Sequence, residues 1–346
     1  MGGGMIEQWQ ERIRAAASLA KPLRLVGGGT KPWLMPEQGE LLSTAEYSGI
    51  VDYEPSELVI TARCGTPLAE VEALLEQEQQ MLAFEPPRFG ANSTWGGCIA
   101  AGLSGPRRAT AGAVRDFVLG AQLLNGKGQL LNFGGRVMKN VAGYDISRAL
   151  AGSCGALGII TQASLKVLPR PRHECSLRFE LDQTQALRCM NEWAGLPLPI
   201  SATAWHEDIL TVRLSGAEAA LKAAQQSLGG ELLGAEAARQ FWNSLRDQRY
   251  HFFQGTEKIW RFSLPSVAPV IPVAAECLLE WGGAQRWIKT EDPPERLASL
   301  ALENRGYVQA YRQYQHWLAG LTSPVRAIHE RLKAEFDPMH LFNTEH

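Results

Sequence analysis

Residues 84–112 read FEPPRFGANSTWGGCIAAGLSGPRRATAG, a stretch dense in Gly, Pro, Ser and Ala in which no helical or strand period survives for long. A structureless segment of this length inside a folded chain is uncommon and usually functional. At its centre, Ser93-Thr94-Trp95-Gly96-Gly97 offers two hydroxyls and two permissive glycines within five residues. Ala100-Ala101-Gly102 supplies small side chains against which a backbone or a ligand can lie close. Arg107, Arg108 and Arg115 add positive charge nearby, with Asp116 as an ion-pair partner if they lie on a solvated surface.

A second glycine cluster lies upstream. The apolar run Leu23–Val26 leads into Gly27-Gly28-Gly29-Thr30-Lys31. Three successive glycines let the backbone approach a ligand, and their N–H groups can converge on an anion. Neither common phosphate fingerprint fits. A GxGxxG pattern starting at Gly27 would need glycine where Pro32 stands, and Gly126-Lys127 is followed by Gly128 rather than Ser or Thr. One glycine turn is ordinary; two in one domain, with small residues between, suit a pyrophosphate held between loops.

Around these loops the periodicities predict a helix over 5–20, with Ile6, Trp9, Ile13 and Ala17 on one face, and a strand over 58–62. Thr66 and Pro67 read as the N-cap and first residue of a helix carrying Leu68, Val71, Leu74 and Leu75. Residues 116–125 and 129–133 read as a hairpin around Asn125-Gly126, residues 134–145 as a second irregular piece, and 159–168 as a β-branched strand. Pro169-Arg170-Pro171-Arg172 marks a domain boundary. Beyond it, strands over 178–181, 210–214 and 261–264 alternate with helices over 184–194, 217–227 and 234–249, an α+β module of about 150 residues. A last helix covers 324–336.

The 346-residue composition sets the outer limits. With 45% hydrophobic residues and 10 Trp, the chain can bury a large core. A net charge of −2 without a basic stripe argues against a nucleic-acid partner and leaves a small anionic ligand open. The six cysteines form no CxxC pair, which disfavours zinc ribbons and iron–sulfur ligation and suits free thiols in a reducing cytosol. The seven histidines are scattered with no HxH, so no metal site is expected. No secretory leader and no transmembrane run of about 18 apolar residues is expected, and Met5, after the leading glycines, reads as the natural start.

In order along the chain, VGGGTK (26–31), STWGG (93–97), RRATAGAVRDFVLG (107–120), KNVAGYD (139–145) and GSCGALGIITQASLKVLP (152–169) resemble the FAD-binding domain of the vanillyl-alcohol oxidase superfamily, the PCMH-type domain. The resemblance covers 24–170 and recurs in FDPMHLFN near the C-terminus. It implies an α+β fold with a PCMH-type FAD-binding domain of two subdomains over 1–170 and a smaller α+β cap or partner-binding domain over 171–323. A helix and tail over 324–346 would return to the first domain. It further implies that Gly27, Gly28, Gly29, Thr30 and Lys31 hold the pyrophosphate with Ser93, Thr94, Gly96 and Gly97, and that Pro87 lies near the adenosine. Ala101, Gly102 and Ser104 would line the flavin, with Gly158, Ile159 and Ile160 at the adenine and ribose. Arg108 and Asp116 join the cofactor-binding set, and Lys139, Asn140 and Tyr144 would face the reacting side. Many relatives bind FAD covalently through a histidine in or after the first loop; Thr30 and Lys31 stand there, so noncovalent FAD is expected.

Among such proteins the pattern is most similar to the FAD-binding subunits of bacterial glycolate oxidases. That implies oxidation of a small 2-hydroxy acid, or electron transfer, beside a homologous catalytic flavin subunit and an iron–sulfur subunit. The location implied is cytoplasmic, with peripheral membrane association at the inner face through those partners. Two departures weigh against an independent substrate site: the histidine-rich metal motif of catalytic relatives is missing, and GSCG replaces their GSEG, so that Cys154 reads as a buried packing residue. No catalytic residue is assigned. Arg261 and Arg178 are candidate cations for a substrate carboxylate, and His206 and His251 candidate bases. The alternatives are a self-sufficient oxidoreductase for another small hydroxy acid or alcohol, and a non-catalytic scaffold. Seven of the ten Trp lie beyond residue 190, either as core or as a partner-binding surface.

Overall fold

The computed structural model describes residues 2–135, 146–313 and 323–343. The architecture is α+β, built on two larger sheets. A five-stranded antiparallel sheet has the order Ile50–Glu54, Val59–Arg63, Ile159–Lys166, Val118–Leu124, Leu130–Gly134. Its central strands are buried along most of their length, and helices Leu68–Gln77 and Trp95–Ala101 join Phe84, Phe117 and Leu150 in the core packed on them. A short parallel pair, Leu23–Val26 with Glu40–Ser43, stands beside it and packs on helix Gly2–Leu19 through Trp9, Ile13 and Leu42.

From His173 onward the strands belong to an eight-stranded antiparallel sheet. Its order is Glu231–Leu233, His173–Glu180, Ile209–Gly216, Ile200–His206, Cys277–Glu280, Gln285–Lys289, Ile259–Ser263, Tyr307–Ala310. Helices Gln183–Ala194 and Glu218–Leu228 bury Leu187, Met190 and Leu221 against one face, on Leu210, Val212 and Leu214. Trp242, Phe252, Phe253 and Trp287 cover Ala202 and Ala204 on the other. Helix Ser323–Phe336 then returns to the first sheet, where Phe336 joins the core, and Phe342 forms a parallel bridge with Leu23.

Several local expectations change. The 84–112 stretch is not wholly irregular: Trp95–Ala101 is a helix, capped by the Thr94 hydroxyl, which accepts from Gly97 N, and closed by Gly102 at φ +66°. Pro67, not Thr66, is the N-cap of helix Leu68–Gln77, and the Thr66 hydroxyl bonds the main chain of Gly49 instead. Asp116 belongs to a short helix, Val114–Phe117, and the hairpin strand starts at Val118. Strands Ile200–His206, Cys277–Glu280 and Gln285–Lys289 and helix Pro294–Glu303 were not legible as such.

Candidate functional site

The two glycine loops meet. An added Cβ at Gly28 would sit 1.5 Å from the Asn92 carbonyl oxygen, and one at Gly27 would sit 2.5 Å from the Thr94 hydroxyl. Only glycine permits this contact between the loops. Gly96 serves a third approach, since its Cβ would lie 2.6 Å from that of Cys64 on the sheet side.

Beneath the contact is a cleft that opens to solvent and encloses about 730 Å³ of space. Its walls bring together Gly27, Gly28, Gly29, Thr30 and Lys31 with Thr94, Gly96, Gly97 and Ala101, and with Gly158, Ile159 and Ile160. Among the described residues, none accepts a main-chain hydrogen bond from the N–H of Gly27, Gly28, Gly29, Thr30 or Lys31. Five successive donors without an acceptor on the described main chain are what a bound anion would satisfy. The Lys31 ammonium is buried, with the residue 9% exposed, and lies within 3.4 Å of the Thr30 hydroxyl and 3.3 Å of that of Ser93. Burial pushes its pKa down, and no carboxylate among the described residues pairs with it. A buried cation without a counter-charge is costly; a diphosphate placed there would neutralise it.

The second loop contributes differently. The Gly96 N–H donates to Cys64 O at 2.8 Å and the Gly97 N–H to Thr94 Oγ1 at 3.3 Å. These glycines therefore give the cleft surface, while 27–31 gives it free donors. Ser93 touches the cleft through Lys31, and Gly102 lines an adjoining one. The remaining candidates lie elsewhere. The Ser104 hydroxyl accepts from Val114 N, the Arg108 guanidinium stacks on Trp281 at 4.4 Å, Asp116 caps its own short helix, and Pro87 is buried away from the cleft walls. Lys139, Asn140 and Tyr144 lie outside the described residues.

Cys154 departs from the packing role read for it. It is half-buried, has φ +50°, and stands where the two clefts join. Burial pushes its thiol up to about 11, so it is protonated at neutral pH.

The adjoining cleft, about 1090 Å³, opens between the first sheet's loops and the eight-stranded sheet. Ala101, Gly102, Gly152 and Cys154 form one wall, and Arg261, Trp287, Tyr307, Gln309, Tyr311 and Arg312 the other. Arg261 projects from strand Ile259–Ser263 and hydrogen-bonds Gln309 and Tyr307. Among the described residues no carboxylate lies within ion-pair distance of it. Burial lowers its pKa against the pull of Tyr307, yet a guanidinium stays charged. The Tyr311 hydroxyl is buried without a partner among the described residues, and burial raises its pKa, leaving it a neutral donor. Arg178 lines neither cleft, and neither do His206 and His251. Of the two candidate cations read from the sequence, Arg261 and Arg178, only Arg261 lines the cleft; Tyr307, Gln309 and Tyr311 sit on or just after one edge strand, and no spacing in the sequence points to them.

The comparisons agree with this geometry. Residues 4–134 match the family model described as FAD binding domain. The chain is 45% identical over 334 residues, 96% of its own length and 94% of the other's, to the glycolate oxidase subunit GlcE of Escherichia coli (strain K12). It is 32% identical over 151 residues to the glycolate oxidase subunit GlcD of Bacillus subtilis (strain 168), covering 43% of this chain and 31% of that one. An alkyldihydroxyacetonephosphate synthase structure aligns at a TM-score of 0.68 over 97% of this chain and 75% of that one; at 14% identity this shows the fold. Fold and cleft define a flavoprotein of the PCMH-type, α+β FAD-binding class, an oxidoreductase whose cofactor is FAD. Within that class the chain belongs to the family of the glycolate oxidase subunit GlcE.

Proposed function

We propose that this chain is the FAD-holding GlcE-type subunit of an assembly that oxidises glycolate or a similar small 2-hydroxy acid, and that its own second cleft receives the acid. The observation that carries the reading is Arg261, a cation that no carboxylate among the described residues pairs, lining a cleft that adjoins the glycine-lined one. In this reading the domains divide near Pro169–Arg172, and 324–346 returns to the FAD-binding part.

FAD would be held at its diphosphate by Lys31 and the N–H groups of residues 27–31, with Ile159 and Ile160 along the cleft floor and Ala101, Gly102 and Cys154 toward the second cleft. When bound, the flavin would supply the two-electron acceptor for the hydride of the alcohol carbon, and the hydroxyl proton would pass to water in the open cleft, whose described wall residues include no carboxylate or histidine. Arg261 would fix the substrate carboxylate through charge-assisted hydrogen bonds, with Gln309 holding the guanidinium in place. Tyr311 would donate to the substrate from the same wall. Thr30 and Lys31 stand in the first loop, no described residue of either cleft wall is a histidine, and the protonated Cys154 thiol is a poor nucleophile. FAD is therefore noncovalent in this reading and should leave completely on denaturation. Partners would be a second, homologous flavin subunit and an iron–sulfur subunit, and membrane association at the inner face would come through them. Among the described residues no helix is long and apolar enough to cross a membrane.

The test is the visible flavin spectrum of the FAD-loaded chain, titrated anaerobically with glycolate. Bleaching that is lost in Arg261→Met, with flavin content unchanged, is the expected result. A wild-type band that stays oxidised would overturn the substrate site and favour an electron-relaying subunit, with oxidation on a partner.

A further inference from the structure

Two histidines that look unconnected in the sequence meet at one corner of the eight-stranded sheet. His206 ends strand Ile200–His206, and its side chain is 3% exposed. Glu207 and Asp208 make the two-residue turn into strand Ile209–Gly216, both left-handed, with φ +48° and +57°. His251 opens the one-turn segment His251–Phe253. His206 Nδ1 lies 3.8 Å and His251 Nε2 3.4 Å from the same oxygen, Glu207 Oε2. All three ligand atoms lie within 4.8 Å of one another. Donors at 2.0–2.1 Å around a tetrahedral ion stand about 3.3–3.4 Å apart, so small side-chain movements would close the cluster on a metal.

The surroundings are those of a ligating histidine. His206 Nε2 lies 2.9 Å from Glu276 Oε1, and Glu276 Oε2 takes the Lys289 ammonium at 2.9 Å. With Nε2 donating to that carboxylate, Nδ1 carries the lone pair on the side of Glu207, and the ring is held in orientation. Tyr250, whose hydroxyl lies 3.3 Å from Nδ1, borders the fourth position. Glu207 and His251 are more than half exposed, so an ion has an entry path.

We propose that His206, Glu207 and His251 form a binding site for a divalent transition metal of the zinc class, with a fourth position open to solvent. Two imidazoles and one carboxylate suit Zn²⁺, Co²⁺ or Ni²⁺ rather than Mg²⁺ or Ca²⁺. The three residues line neither cleft, so the ion is structural with respect to the chemistry proposed above. It fastens the hairpin turn to the segment whose Phe253 packs on Trp287, a residue of the second cleft wall.

The test uses the FAD-loaded chain without a histidine tag, stripped with a chelator and titrated with Co²⁺ in the visible and with Zn²⁺ by calorimetry. One ion per chain is expected, with the intense d–d bands of four-coordinate cobalt. Affinity should fall at least tenfold in His251→Ala and in Glu207→Ala, and remain unchanged in His173→Ala. Metal-free melting temperatures of the two exposed-site variants should match wild type, separating ligand loss from misfolding. No stoichiometric binding, or binding indifferent to both substitutions, would overturn the site and leave the cluster as ion pairs only.

Discussion

The Lys333 ammonium lies 2.6 Å from the Asp337 carboxylate one helical turn later, and both side chains are buried. The remaining ammonium donors go to Ala156 O and Phe342 O, and the carboxylate accepts from the N–H groups of Leu341 and Phe342. This pair fixes the FDPMHLFN segment against the first sheet.

Removing one partner leaves the other charge buried and unpaired, at a cost of about 3–5 kcal/mol. Asp337→Ala is expected to lower stability by that amount. Lys333→Met with Asp337→Leu, which removes both charges, should recover part of the loss. Urea denaturation of the three proteins gives the comparison.

The glycine loop separates steric need from conformational need. At Gly28 the new Cβ would strike main-chain oxygen at 1.5 Å, whereas at Gly29, with φ +67°, nothing lies within 4 Å. Gly28→Ala should force the loops apart and abolish flavin retention. Gly29→Ala carries only the left-handed backbone cost of about 1–2 kcal/mol and should keep its flavin. Flavin-to-protein absorbance ratios after gel filtration decide the point.

Lys31→Met should act in opposite directions on the apo and holo proteins. Losing a buried, uncompensated ammonium relieves the apoprotein; losing a charge-assisted contact to the diphosphate weakens FAD by about 10–100-fold, equivalent to about 1.4–2.7 kcal/mol. Fluorescence titration of FAD measures the second effect, and apoprotein melting the first. An unchanged FAD affinity would remove Lys31 from the cofactor site.

Glu85 joins the two halves of the molecule. It takes the Arg107 main-chain N–H at 2.9 Å and Arg213 at 2.8 Å, and Arg107 reaches on to Glu174 of the eight-stranded sheet. Desolvation raises the carboxyl pKa, but Arg213 and Arg107 outweigh it and hold it below the ordinary 4.5. A depressed pKa means the unfolded chain binds the proton more readily. The stabilisation is complete above 4.5 and is lost as pH falls from there through the folded-state value. Glu85→Gln should be less stable than wild type at neutral pH and should lose less on acidification, as followed by melting temperature against pH.

How much could be read in advance depended on how local each cause was. Gly27–Gly29 and the β-branched run at 159–166 announce themselves through their own residue types. Helix Trp95–Ala101 does not: it is short and contains two glycines, and it is held by the Thr94 cap and by Trp95, buried with its indole N–H on Ala163 O. Strand Ile200–His206 is buried on both faces, so it shows no alternation. Arg107 sits in a run that reads as a solvated patch, and only Glu174 of the eight-stranded sheet and Glu85, which it shares with Arg213, make it an internal tie. His206 and His251 are 45 positions apart, and nothing in either neighbourhood anticipates their meeting.

Asn343 links the short parallel pair to the loop ahead of strand Ile159–Lys166: its amide oxygen accepts from Leu25 N, and its amide nitrogen donates to Cys154 O at 2.5 Å. Leu25 and Cys154 both line the glycine-rich cleft. A nascent chain that has displayed VGGGTK and STWGG therefore still lacks the brace for two of the walls around its flavin, because the brace emerges from the ribosome only after the entire eight-stranded sheet. Cofactor capture thus becomes a late event of biogenesis and a checkpoint on full-length synthesis: a chain truncated before residue 341 should circulate as apoprotein.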